Sequence, residues 1–77
     1  MRIVDERAAH YGGEADGYAN LRRIAALWGA YLGTPVTAHD VCWLMVLLKA
    51  SRSKTDPKHL DSYLDAHGYT ELAERLR

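Results

Sequence analysis

Apolar residues recur at helical spacing through two long stretches of the chain and crowd together in a third. Between residues 16 and 32, Tyr18, Leu21, Ile24, Ala25, Trp28, Tyr31 and Leu32 fall three and four apart. That is the period of one buried helical face, and Arg22 and Arg23 point away from it. Gly33 suits the left-handed residue that often closes a helix, and Pro35 stops the helix from running on. Thr37 opens a second helix. Thr37-Ala38-His39-Asp40 has the form of a capping box, in which a hydroxyl and a carboxylate each satisfy the other's backbone N–H; Asp reaches back less far than Glu. Residues 41–48 are apolar all round, so a helix there needs neighbours on most sides. Lys49 and Arg52 then restore charge at the end where cations suit the helix dipole.

Residues 53–55 read as a loop. Asp56-Pro57 has the form of an N-cap followed by proline at the first helical position, which starts a third helix. Beyond it Leu60, Leu64, Gly68, Leu72 and Leu76 repeat every four residues, in phase on both sides of Gly68. That phase favours one continuous helix to near Arg77 over a break at Gly68 with Thr70 as a new cap. Ahead of the long helices, residues 1–9 suit a short helical segment stopped by Tyr11-Gly12-Gly13. Period-two alternation is missing. The predicted class is all-α: a small antiparallel bundle of three main helices plus a short N-terminal helical segment, in a single domain over residues 1–77.

Size and charge narrow the roles of such a bundle. A chain of 77 residues buries only ~60% of its unfolded surface, so pairing with a second copy is a natural way to enlarge the core. A homo-dimer is expected. Ten basic residues balance ten acidic ones, so no global field draws the chain to nucleic acid, which is not expected as a partner. Locally Lys49, Arg52, Lys54 and Lys58 face one acid, Asp56. The single cysteine, Cys42, lies in the apolar run and reads as a small buried hydrophobe in a reducing compartment. That run is far short of the ~20 residues needed to span a bilayer, so no membrane partner is expected. The opening residues, Met1-Arg2-Ile3-Val4-Asp5-Glu6, lack a signal-peptide stretch, and the expected location is the cytoplasm.

Two clusters could carry chemistry. Asp61 and Asp65 are four apart, and Tyr69 follows after four more, so all three project near one face of the third helix. Carboxylates at this spacing can share Mg²⁺, which fills its other positions with water and phosphate; a solvated acidic stripe has the same spacing. Lys49 and Arg52, three apart, pair a point charge with a planar fork and suit phosphate oxygens, or simply the helix dipole. Antiparallel packing of the second and third helices would bring these cations and Asp61 or Asp65 to one rim. The four histidines have no zinc spacing, and His39-Asp40 reads as a capping feature. Glycine-rich phosphate loops and serine elbows are lacking, so nucleophilic catalysis has no support. Trp43 sits in the helix that is apolar on all sides and reads equally as core or as an interface residue.

Several of these segments resemble a known pattern. Tyr11-Gly12, the helix at residues 20–33 with Arg-Ile-Ala-Ala-Leu-Trp, the run ending Leu-Leu-Lys-x-x-Arg, and Asp61-Ser62-Tyr63-Leu64-Asp65-Ala66-His67-Gly68-Tyr69 are similar to a family of small phage and prophage helical proteins of unknown function. The resemblance implies a small phage-encoded protein of unknown function; the reading set first beside it is a non-enzymatic accessory module that binds a host or phage protein, with no cofactor. More distantly, the closing pattern looks like phage nucleotide-modification-associated domains and MazG-like all-α nucleotide pyrophosphohydrolases. That second resemblance would make Asp61 and Asp65 the Mg²⁺ side and Lys49 and Arg52 the phosphate side; Tyr69, from its place on the same helix face, is a candidate for the rim. The helix at residues 20–32 holds no Asp or Glu, so the other acidic pair of such a site is missing. Binding without catalysis and Mg²⁺-dependent phosphate chemistry both stay open to this sequence.

Overall fold

The computed structural model describes residues 14–77. Three helices follow in order: α1 (Glu14–Leu32), α2 (Ala38–Thr55) and α3 (Leu60–Arg75). The expected all-α bundle of three main helices is what the chain forms, and no strand occurs among the described residues. The expected short segment at residues 1–9 and its Tyr11-Gly12-Gly13 stop lie outside the described residues.

The start of α2 is closed as its sequence foretells. The Thr37 Oγ accepts from the Asp40 N–H at 3.0 Å, and the Asp40 carboxylate accepts from the Thr37 N–H at 2.9 Å. Asp therefore reaches back far enough here. At the end of α1, Gly33 takes φ of 73°, and the N–H groups of Gly33 and Thr34 both reach the Gly29 carbonyl. This turn folds back so closely that a Cβ on Gly29 would lie 3.0 Å from the Thr34 carbonyl oxygen.

α2 is the central element. α3 packs antiparallel along it, and α1 packs against it less extensively. The core gathers Leu21 and Ala25 of α1, Val41 and Cys42 of α2, and Ala73 of α3. Tyr18, Ile24, Trp28, Val36, Met45, Leu72 and Leu76 close around them.

Three expectations need correction. Residues 53–55 are not a loop but the last turn of α2, sealed by the Asp56 N–H on the Arg52 carbonyl at 3.0 Å. Asp56-Pro57 does not cap α3. The His59 N–H bonds the Asp56 carbonyl at 3.2 Å, so Pro57 occupies the second position of a turn, a place its fixed φ suits as well as it suits a helix start. α3 begins at Leu60 behind His59, which makes no side-chain cap bond. The four-residue leucine row turns gradually from solvent to core. Each step of four advances ~40° around a 3.6-residue helix, so the row spirals: Leu60 and Leu64 are exposed, Gly68 is buried, and Leu72 and Leu76 reach the core. Finally, Tyr31 and Leu32 were expected on the buried face of α1 but are 90% and 60% exposed. The turn after Gly33 returns the chain beneath Gly29, so the core side of α1 ends at Trp28 and the last turn projects past it. The continuous helix through Gly68 is found.

Candidate functional site

The antiparallel register of α2 and α3 brings the cationic end of one helix beside the acidic start of the other. Lys49 Nζ lies 3.0 Å from Asp65 Oδ2, with the two side chains 17% and 21% exposed. This is the one meeting of the two predicted clusters among the described residues. Arg52 lies one turn beyond Lys49 and Asp61 one turn before Asp65, so both sit at the same end of the helix pair, and both are exposed. Tyr69 is half-buried a turn after Asp65. The spacing that seemed to align Asp61, Asp65 and Tyr69 drifts like the leucine row, from an exposed Asp61 to inward-turned Asp65 and Tyr69.

The pairing has a chemical consequence. An ammonium already neutralises an Asp65 oxygen, so a divalent cation at that carboxylate would compete with Lys49. Among the described residues no group of three or more His, Cys, Asp or Glu side chains is placed to share a metal ion.

A second feature lies on the opposite side of α2. Two helices cannot cover one that is apolar all round, and the uncovered side shows Trp43 (47% exposed), Leu44, Leu47 (64%) and Leu48. The Trp43 indole N–H donates to His39 Nε2 at 3.2 Å, with the rings edge to face. His39 thus steadies Trp43 rather than forming a dyad with Asp40. The Thr37 N–H held on Asp40 keeps that carboxyl below its usual range, with the Thr37 hydroxyl and His39 adding to the effect. Sequence reasoning named Trp43 but missed Leu44, Leu47 and Leu48. The signal was present, since a continuous apolar run has more apolar sides than the two neighbouring helices among the described residues can cover.

Comparison with known proteins places the chain in a family. A family model described as a domain of unknown function, DUF6378, matches residues 1–77. The chain belongs to the DUF6378 family. The DUF6378 chain is 40% identical over 76 residues to the Gene 55 protein of Mycobacterium phage L5, a match covering 97% of this chain and 47% of that protein. It is 37% identical over 74 residues to the Gene 55 protein of Mycobacterium phage D29, covering 96% and 47%. This DUF6378 domain therefore spans about half the length of these relatives. No solved structure matches it. The expected membership of a phage-protein family of unknown function is met.

Proposed function

We propose that this domain is a non-enzymatic interaction module of a phage-encoded protein, docking a protein surface through the outer face of α2. One observation carries the reading: Trp43, Leu44, Leu47 and Leu48 form a contiguous apolar patch on the central helix, and large apolar patches on small soluble domains mark contact sites. Trp43, its N–H already engaged by His39, offers a flat anchor of the type enriched at interface centres. The partner is a host or phage protein, or a second copy of the chain. The setting is the cytoplasm, where a lone buried cysteine stays a thiol. No helix among the described residues is long and apolar enough to cross a membrane, and no membrane partner is proposed. Nucleic acid is left out because the charge is balanced and Lys49 is engaged by Asp65.

A photo-crosslinking residue in place of Leu47, in cells making the protein, tests this reading. Discrete protein adducts are expected there and not from the same residue in place of exposed Arg23. Equal adducts from both positions, or none from Leu47, would sink it.

A second reading keeps one supporting observation. Lys49, Arg52, Asp61 and Asp65 share one end of the α2–α3 pair, as MazG-like binding of a Mg²⁺–nucleotide would require. Thermal stability would then rise with Mg²⁺ and a nucleoside triphosphate together, and Asp65→Ala would remove that rise.

A further inference from the structure

The outer side of α2 carries a pattern separate from its core side. Asp40, Leu44, Leu47, Ser51 and Lys54 follow one another at intervals of four, three, four and three, the seam spacing of helices that pack along their length, and all five are exposed. The ends of this seam have opposite charge, and each charge stands seven residues, two turns, from Leu47.

We infer that the occupant of this face is a second copy of the chain, whose α2 lies antiparallel across it on a two-fold axis at Leu47. This rests on the interaction reading above and names its partner. In that register Asp40 of each copy faces Lys54 of the other, so two ion pairs flank the apolar centre. A parallel pairing would set Asp40 against Asp40 and Lys54 against Lys54, so charge selects the direction. Side-chain size selects the same register. Residues equidistant from Leu47 share a level across the axis, so Trp43 shares its level with Ser51 and Leu44 with Ala50, a large side chain with a small one at each. A one-residue slip would lose both the Asp40–Lys54 match and the contact of Leu47 with itself. The self-complementary surface covers Leu47 and Leu44, two of the apolar side chains that α1 and α3 leave in water.

Disulfide trapping and light scattering test this together. Leu47→Cys, at the axis, is expected to give a covalent dimer on mild oxidation. Lys54→Cys is expected to form no intermolecular disulfide, because in the antiparallel register its two copies lie ~21 Å apart, fourteen residues at ~1.5 Å each. Native Cys42, fully buried, is protected from exchange. Light scattering across a concentration series should show a monomer–dimer equilibrium, with Lys54→Glu weakening association by about tenfold or more as attraction turns to repulsion. Circular dichroism of each variant confirms that the helices persist. A scattering mass that stays monomeric at every concentration, a Leu47→Cys variant that does not crosslink, or a Lys54→Cys variant that crosslinks as readily would overturn the antiparallel pair. Adducts from the photo-crosslinker at Leu47 with some other protein, beside a monomeric scattering mass, would sink this inference alone. Absence of any adduct would sink the interaction reading with it.

Discussion

Cys42 lies within the core between α2 and its neighbours, and burial pushes its thiol up from an ordinary 9.0 to about 11. That difference makes the reactive thiolate roughly a hundredfold rarer in the folded chain near neutral pH, before any steric shielding is counted. Labelling by a disulfide reagent at neutral pH should therefore be slow in buffer and fast in denaturant; equal rates would place the thiol at the surface. The linkage has a definite sign. The folded state holds this proton more tightly, so the associated stability is intact below pH 9 and is lost as pH rises from 9 towards 11. The two glycines at the end of α1 are constrained differently. Gly33 has open space around it but φ of 73°, so Gly33→Ala should cost about 1 kcal/mol through backbone strain alone. Gly29 is an ordinary helical residue whose Cβ would press on two backbone atoms, the Thr34 oxygen at 3.0 Å and the Val36 nitrogen at 3.4 Å. Gly29→Ala should forfeit the usual ~1 kcal/mol gain in helix propensity and lower the urea midpoint instead. An unchanged or raised midpoint would mean that the turn yields freely.

Each helix is bounded by local chemistry, and α2 shows how much that is worth. The reciprocal Thr37–Asp40 box satisfies two N–H groups that would otherwise lack partners, and Thr37→Ala should cost about 1 kcal/mol in chemical unfolding. Asp40 titrates below its ordinary 3.8 because its charged form holds these bonds. Its contribution is therefore present above pH 3.8 and lost as pH falls through the lower folded value. Helix content followed by circular dichroism should show an acid-side loss that Asp40→Ala lacks. The other end of α2 shows why a strong local signal can mislead. Asp-Pro fits both a helix start and a turn, and here the Asp56 carbonyl accepts from the His59 N–H to close a turn while its own N–H closes α2. Tyr63 holds that turn from α3 by donating its hydroxyl to the Pro57 carbonyl at 2.7 Å.

At the scale of the whole molecule, Lys49 and Asp65 tie the far end of α2 to α3, away from the core around Val41 and Ala73. Both side chains are mostly shielded, so their interaction exceeds that of a fully exposed pair. A double-mutant cycle with Lys49→Ala and Asp65→Ala should give a coupling of about 1 kcal/mol, falling little with salt. A coupling near zero would mean that the two helices are aligned by apolar packing alone. The same alignment sets the candidate surfaces apart. One edge of α2 is taken by the ion pair, while the side away from the core keeps Trp43, Leu44, Leu47 and Leu48 in water.

Local sequence determined the elements whose causes are local: the α1 period, the Thr37–Asp40 cap, the Gly33 stop, continuity through Gly68 and the burial of Cys42. It also supplied the charges that could meet between α2 and α3, because antiparallel neighbours place the end of one helix beside the start of the next. Tertiary structure alone decided which charge found which, pairing Lys49 with Asp65 and leaving Arg52 and Asp61 in solvent. It decided as well which leucines face inward, turning Leu60 and Leu64 out although they share a row with Leu72 and Leu76. The physical reason is the same in both cases. A helix fixes the angle between its own side chains, but only its neighbours fix which way the helix is turned.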